Sequence, residues 1–228
     1  DGRNLLYLND GTGHFSDGTE EWGLLDEALP SMGASWADMD GDGDLDLFVA
    51  NHSSKIDETY RPPFPGAENR LYLNEGHRFV DVSERLGTED RTGYTFVGSW
   101  SDVDLDGDPD LQLINDFGAR TVPNRLLLND GSGRFTLVED TGLDLAGDAM
   151  GIGMGDLNDD GRPDYVISDW DRMHLRVSHG HLSWVEEAIG RGFVVDHPDR
   201  VVGWGTQMAD VDNDADLDIW MGFGHIVL

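Results

Sequence analysis

A nine-residue acidic frame, repeated four times, constrains this chain more than any other feature of its sequence. The first copy reads D-M-D-G-D-G-D-L-D and places five carboxylates within nine residues, with glycine at the sixth position. We number the copies frame 1 (38–46), frame 2 (102–110), frame 3 (156–164) and frame 4 (210–218), whose starts are 64, 54 and 54 residues apart. Recurrence at such intervals indicates a repeat architecture in which each repeat contributes one supersecondary unit.

Carboxylates held this close together repel one another, and a divalent cation relieves the repulsion by drawing their oxygens inwards. Calcium suits such a loop because it accepts about six to eight oxygen ligands in flexible geometry, whereas magnesium demands a tighter octahedron. We therefore predict up to four Ca²⁺ ions, each bound by side chains at positions one, three, five and nine and by the backbone carbonyl of position seven. The predicted ligands are Asp38, Asp40, Asp42, Asp44 and Asp46; Asp102, Asp104, Asp106, Asp108 and Asp110; Asp156, Asn158, Asp160, Arg162 and Asp164; and Asp210, Asp212, Asp214, Asp216 and Asp218.

Position six is glycine in frames 1, 2 and 3, where a sharp bend is expected. Ala215 takes this place in frame 4, so a requirement for positive φ there would strain the fourth site and weaken it. An EF-hand also begins with D-x-D-x-D-G, but it needs a glutamate at position twelve and a helix on each side. Position twelve is apolar in every copy, at Val49, Leu113, Ile167 and Met221, which argues against an EF-hand.

Segments with β-strand patterns flank every frame. A large residue and then a small one precede each frame, and short apolar runs follow at 47–50, 111–114, 165–167 and 219–221. A hairpin comes next, with N-R-L-Y-L-N at 69–74 and related residues at 4–9, 124–129 and 173–178. Each repeat thus predicts four antiparallel strands, the frame joining the first to the second. The strand tryptophans are predicted to lie in the core: Trp36, Trp100, Trp204 and Trp220.

Four antiparallel strands per repeat predict an all-β fold, a β-propeller of four-stranded blades with calcium-binding loops between first and second strands. We expect a single domain over residues 1–228, with blades at about 31–82, 95–138 and 148–185. Residues 203–228, completed by 1–17, are expected to form the fourth blade and close the ring. Alternatively, the chain is a fragment of a larger propeller that is cut within a blade.

The D-x-D-G-D-x-x-D-L loops, the N-R-L-Y-L-N segment and the G-x-F hairpin resemble the FG-GAP or VCBS repeats of integrin-α-type propellers. Within that family the sequence is most similar to the cartilage acidic protein group and its bacterial relatives with an ASPIC/UnbV domain. The residues that carry this similarity are 203–207 (G-W-G-T-Q) and Gly224-His225. The resemblance implies a secreted or surface propeller with calcium in its blade loops. It also implies about seven blades, whereas four frames occur here.

The charge balance restricts the partners that the chain can bind. It has 15 Lys and Arg against 46 Asp and Glu, for a net charge of −31. Four calcium ions would bring this to about −23, so we expect neither nucleic acid nor anionic membrane as a partner. No run of about 18 apolar residues predicts membrane insertion. Cysteine is absent, and a start at Asp1 without a signal peptide suggests a processed or excerpted chain.

No G-x-S-x-G elbow, H-E-x-x-H motif or cysteine nucleophile occurs in the sequence. We therefore expect a calcium-stabilised propeller that serves as a binding, adhesion or assembly module without catalysis of its own. Its partner would be a protein or a glycan, outside the cell, at its surface or in a bacterial periplasm, where millimolar calcium fills weak loops. The alternative is a carbohydrate-active propeller, either a polysaccharide lyase or a lectin. Arginines converging with a histidine in one pocket would favour the lyase, and exposed tryptophans between blades would favour the lectin.

Overall fold

The computed structural model describes residues 3–24, 28–53, 66–87, 90–170, 172–194 and 201–224. These residues form sixteen β-strands and two short 3-10 helices, Ser83–Leu86 and Asp90–Thr92. The strands are β1 Tyr7–Asn9, β2 Phe15–Asp17, β3 Ser31–Ala37, β4 Asp46–Asn51, β5 Arg70–Asn74, β6 Phe79–Asp81, β7 Tyr94–Ser101, β8 Asp110–Asp116, β9 Arg125–Asn129, β10 Phe135–Val138, β11 Gly151–Gly155, β12 Asp164–Ser168, β13 Met173–Ser178, β14 Trp184–Glu186, β15 Val202–Ala209 and β16 Asp218–Gly224. Within this part of the chain no helix is long and apolar enough to cross a membrane.

Twelve of these strands form three four-stranded antiparallel sheets, which confirms the predicted all-β fold. Sheet 1 is β3-β4-β5-β6, sheet 2 is β7-β8-β9-β10 and sheet 3 is β11-β12-β13-β14. In each sheet the acidic frame joins the first strand to the second. The register across this turn is the same in every repeat, with Ala37 opposite Asp46, Ser101 opposite Asp110, Gly155 opposite Asp164 and Ala209 opposite Asp218.

The strands near the two ends form separate two-stranded sheets, β1–β2 and β15–β16. The predicted fourth blade, made jointly by residues 203–228 and 1–17, is therefore not formed by the described residues, which exclude 1–2 and 225–228. The segment around β1 packs on sheet 1 instead, where Leu6 and Trp22 contact a cluster that contains Leu47 and Phe79. The similarity of residues 4–9 to 69–74 identifies β1 as a third-strand segment, but it does not specify which distant strand pairs with it.

Successive sheets pack face to face through apolar side chains. One cluster joins sheets 1 and 2 and includes Phe48 and Leu111, and another joins sheets 2 and 3 and includes Ile114 and Tyr165. The Phe48 ring lies against Gly98 of β7, where a Cβ would come within 2.3 Å of the ring. Burial of such a side chain contributes about 1.5–3 kcal/mol. Glycine at this place therefore allows the close approach that stacks sheet 1 on sheet 2.

The prediction that the strand tryptophans lie in the core is wrong for three of the four. Trp36, Trp204 and Trp220 are 44%, 37% and 65% exposed, whereas Trp100 is half-buried and packs on Phe135. Alternation along a strand shows which residues share a face, but not whether another sheet covers that face. Among the described residues, only the segment around β1 packs on the face of sheet 1 that carries Trp36, and it leaves this side chain partly exposed.

Candidate metal centres

Each acidic frame begins at the end of a first strand, and its second residue anchors it to the protein. Met39 and Val103 are buried in the clusters between sheets, and Leu157 packs against a smaller cluster. Val211, the equivalent residue of frame 4, is 70% exposed. Frames 1, 2 and 3 are therefore fixed to the core, whereas frame 4 lies at the surface.

The aspartate at position one organises the turn of every frame through backbone hydrogen bonds. In frame 1, Asp38 accepts the N–H of Asp42 at 3.1 Å and that of Gly43 at 3.0 Å. Asp102, Asp156 and Asp210 accept the corresponding pair of N–H groups in their own frames. The position-five carboxylate accepts the N–H of position seven in all four copies. The shared spacing thus encodes one hydrogen-bonded loop as well as a set of oxygens.

The aspartate at position nine has a structural role that the sequence prediction missed. Asp46 is fully buried; its Oδ2 accepts the N–H of Met39 at 2.9 Å and its Oδ1 accepts that of Asn74 at 2.8 Å. Asp110 and Asp164 are held in the same way, each by position two of its frame and by a residue of the third strand. Asp218 keeps only the first of these bonds, from Val211, and is exposed.

Two positions of each frame adopt a left-handed backbone conformation. Position six does so as predicted, and Ala215 there has φ of 76°, close to the 80° of Gly161. Position four also does so, at Gly41, Leu105, Asp159 and Asn213. The residue types at position four indicate this conformation in three of the four frames, because Gly, Asp and Asn tolerate a left-handed backbone best. Leu105 and Ala215 therefore hold backbone strain of roughly 1–2 kcal/mol each.

Three frames bring three carboxylates together. Ligand oxygens lie within 4.8 Å of one another in the groups Asp38–Asp40–Asp42, Asp102–Asp104–Asp110 and Asp210–Asp212–Asp218. Frame 3, whose residues are all described, forms no such group of carboxylates. It has Asn158 at position three and Arg162 at position seven, so it carries less negative charge than the others. Of the predicted position-seven residues, Asp44 and Asp216 are exposed, whereas Asp108 and Arg162 are half-buried.

Burial and neighbouring like charges disfavour ionisation of two carboxylates in each of frames 1 and 2, Asp40 and Asp46 in the first and Asp104 and Asp110 in the second, and raise their pKa values. Burial, and then the charge of Asp42, raises the pKa of Asp40. Burial raises the pKa of Asp110 to about 6, although two backbone N–H groups oppose the shift. In addition, the buried Oδ1 of Asp40 has no hydrogen-bond partner in the described structure. An orphaned carboxylate oxygen among converging acids fits a hard divalent cation, which would satisfy it and favour ionisation.

A cavity of about 370 Å³ beside β13 brings two arginines, Arg172 and Arg176, close to His174. This is the combination that the lyase alternative requires. Both ring nitrogens of His174 face carboxylates, with Nδ1 2.8 Å from Glu186 Oε2 and Nε2 3.2 Å from Asp169 Oδ2. In this geometry the imidazole is held in place by its neighbours and does not present a free nitrogen as a base.

The comparisons with known proteins agree with the repeat pattern. The FG-GAP-like repeat model matches residues 1–49 and 102–167. No curated protein matches the sequence. A solved structure of an Agrocybe aegerita lectin, described as recognising non-reducing terminal N-acetylglucosamine, has 14% identity and a TM-score of 0.40, over 96% of this chain and 68% of that chain. A similarity of this size supports no conclusion about what the present chain binds. The matched FG-GAP segments contain frames 1, 2 and 3 and span half of the sequence, and the protein therefore belongs to the FG-GAP-like repeat family.

Proposed function

We propose that this chain is a calcium-stabilised β-propeller that acts as an extracellular or cell-surface binding module for a protein or glycan. The observation that carries the calcium assignment is the hydrogen-bonded loop that recurs in all four frames and gathers three carboxylates in three of them. A bound Ca²⁺ would neutralise these carboxylates. The loop itself supplies preorganised oxygens, because each position-one aspartate is already fixed by two N–H groups.

A propeller built as one domain over residues 1–228 is supported by two observations. The four-stranded sheets follow one another in chain order, and their first strands contact one another, β3 with β7, β7 with β11 and β11 with β15. The FG-GAP-like repeats support the same architecture. We extend the proposal to the cartilage acidic protein or ASPIC/UnbV-associated group on the similarity of residues 203–207 and of Gly224-His225.

The four loops should differ in affinity for calcium. Frames 1 and 2 combine five aspartates with a buried position nine, so we propose that they bind most tightly. Frame 3 has fewer carboxylates and an arginine, and frame 4 is exposed and strained at Ala215. The weaker loops would fill only where calcium is about millimolar, which is the reason for placing the protein outside the cytosol.

Titration of the metal-stripped protein with Ca²⁺, and separately with Mg²⁺, tests the proposal by calorimetry and thermal unfolding. We expect at least two saturable calcium steps and a higher melting temperature, with a much smaller response to magnesium. Asp40→Asn should remove one step, whereas Asp10→Asn, an exposed aspartate outside the frames, should remove none. A protein that neither binds calcium nor melts differently in its presence would refute calcium stabilisation.

A second candidate function, recognition of an acidic carbohydrate, is favoured by the cavity that contains Arg172 and Arg176. Glu186 also lines this cavity and lies 3.6 Å from Arg176 Nε, so Arg172 is the arginine best placed to meet a carboxylate-bearing ligand. In a chain of net charge −31, two arginines beside one cavity are still a local exception. Binding of galacturonate oligomers should fall at least tenfold in Arg172→Ala and Arg176→Ala and be unchanged in Arg134→Ala. Equal binding by all three variants would exclude this cavity as the site.

A further inference from the structure

Frames 1 and 2 share one side chain, the amide of Asn129 at the end of β9. Its Nδ2 donates to the carbonyl of Met39 in frame 1 at 2.7 Å and to the carbonyl of Pro109 in frame 2 at 3.1 Å. Its backbone N–H donates to Asp110 Oδ1, also in frame 2, at 2.8 Å. Asn129 therefore joins two frames that start 64 positions apart in the chain.

The amide of Asn129 makes two further hydrogen bonds. Its Oδ1 accepts the N–H of Gly131 at 3.2 Å and the N–H of Gly133 at 3.1 Å. An amide offers two N–H donors and an oxygen with two lone pairs, so each of these positions on Asn129 is occupied. The residue is also buried. Displacing either frame would therefore move this amide or break one of its bonds.

The turn that follows Asn129 packs against the same two frames. A Cβ at Gly131 would lie 2.4 Å from Asp108 Oδ2 of frame 2, and a Cβ at Gly133 would lie 3.2 Å from Met39 Cε of frame 1. Both glycines also have positive φ, of 73° and 69°. These close approaches are independent of the hydrogen bonds, and they show that the turn 130–133 itself contacts both frames.

The equivalent residues of the other sheets do not join two frames. Asn74 of sheet 1 donates its backbone N–H to Asp46 and its Nδ2 to the carbonyl of Leu45 at 3.1 Å, and both acceptors lie in frame 1. Ser178 of sheet 3 bonds through its hydroxyl to the carbonyl of Gly180 at 3.5 Å. Neither side chain bonds to a second frame in the part of the chain that the structure describes.

We propose that Asn129 couples frames 1 and 2, so that calcium bound in one of them raises the calcium affinity of the other. This coupling rests on the proposed function, since it requires that the frames bind calcium. The two carbonyls that accept Asn129 Nδ2 lie beside predicted ligands, one between positions one and three of frame 1 and the other directly before position nine of frame 2.

The shared amide explains how order passes from one loop to the other. A cation that fixes either frame fixes the carbonyl which that frame presents to Asn129, and with it the amide. The second frame then contacts an amide that is already in place, so it loses less conformational entropy when it binds. The coupling is reciprocal, because each frame must raise the affinity of the other by the same factor.

A double-mutant cycle on calcium affinity tests the coupling. Asp40→Asn disables frame 1 and Asp104→Asn disables frame 2, so calorimetry of each variant gives the association constant of the tight frame that remains. In the unaltered chain we expect the overall constant of the two tight steps to exceed the product of those two constants by about fivefold or more.

Replacing Asn129 should remove this factor without removing the binding steps. Asn129→Ser introduces the residue type that sheet 3 carries at this place and keeps the backbone N–H to Asp110, so both tight steps should remain with a factor of about one. Asn74→Ser is the matched control. It removes the equivalent bond to the carbonyl of Leu45, so it should weaken frame 1 but leave the factor unchanged.

Hydrogen exchange of frame 1 gives a second measurement that does not depend on a binding curve. In Asp40→Asn, calcium loads frame 2 alone among the tight frames. Exchange of the Asp42 and Gly43 N–H groups, which bond to Asp38, should then slow by about threefold or more. The same experiment in Asp40→Asn combined with Asn129→Ser should show no slowing.

The possible results distinguish the coupling from the proposed function. A chain without any calcium binding refutes the proposed function and the coupling together. Two tight steps whose overall constant equals the product of the single constants refute the coupling alone, and this result does not depend on the stability of Asn129→Ser. A factor that persists in Asn129→Ser, or that is lost equally in Asn74→Ser, also overturns the role of Asn129 and leaves the calcium assignment intact.

Discussion

Replacing Leu105 by glycine should stabilise this protein, although the change removes a large side chain. Leu105 occupies position four of frame 2 with φ of 66°, and its side chain is 50% exposed. Relief of the left-handed conformation is worth roughly 1–2 kcal/mol. The added freedom of a glycine in the unfolded chain costs about 0.5–1 kcal/mol. The expected net gain in the free energy of unfolding is therefore on the order of 0.5–1 kcal/mol.

Leu45→Gly is the matched control for this prediction. Leu45 lies in frame 1, is 56% exposed and is not among the residues with positive φ. The Leu45→Gly variant should carry the same entropic cost without any relief of strain, so its free energy of unfolding should fall by about 0.5–1 kcal/mol. The difference between the variants isolates the strain and corresponds to a gap in melting temperature of roughly 2–8 °C for a chain of this size.

Thermal and urea unfolding of both variants, in excess calcium and in metal-stripped buffer, would measure this difference. An unchanged urea m-value is needed, so that the shift reports the folded loop rather than the denatured chain. If the two glycine variants are destabilised equally, position four holds no strain, and the conformational argument for the frames is refuted.

Three further predictions concern the frames themselves. Asp46→Ala should lower the free energy of unfolding by roughly 2–5 kcal/mol even without metal, because two buried N–H groups lose their acceptor. Asp218→Ala should lower it by less than about 0.5 kcal/mol, and urea unfolding measures both changes. In the metal-free protein, ionisation of Asp110, whose folded pKa of about 6 lies above its ordinary 3.8, costs roughly 3 kcal/mol at neutral pH. Stability should therefore rise as the pH falls from 7 towards 4, and denaturation at each pH should show a weaker dependence in Asp110→Asn, with the remainder due to other aspartates of raised pKa such as Asp46 and Asp104. Asp104→Ala should abolish a tight calcium step in calorimetry and Asp212→Ala only a weak one, and the opposite order would contradict the ranking of the loops.

Local features of this fold could be predicted from the sequence. The strands lie within a few residues of the predicted segments, and the bend at position six has the positive φ that its glycines indicate. Both depend on interactions between residues close in the chain. Position four carried a comparable signal in Gly41, Asp159 and Asn213, which Leu105 obscured. A leucine there shows that the loop, once anchored by Val103 in the core, imposes a conformation that the side chain disfavours.

Features that depend on distant strands could not be predicted in this way. The third-strand bond to Asp46 joins residues 28 positions apart, and no local pattern distinguishes a carboxylate that accepts N–H groups from one that binds a cation. The exposure of Trp36 and Trp220 likewise depends on which sheet covers a face, and period-two alternation contains no information about that. The partner of each end could not be predicted for the same reason, because β1 carries a third-strand sequence whatever strand lies beside it.

Frame 4 shows why the list of predicted ligands is an incomplete description of these sites. It has the same five aspartates as frame 2, in the same spacing, and it shares the hydrogen bonds from positions five and six to position one and from position seven to position five. It differs in what surrounds it, because Asp110 is buried between two backbone donors and Asp218 is exposed with one. A strand that pairs with β16 would supply the second donor and hold Asp218 in the position that Asp110 already has. Occupancy of the fourth loop by calcium and pairing of the β16 edge should therefore be coupled, each favouring the other.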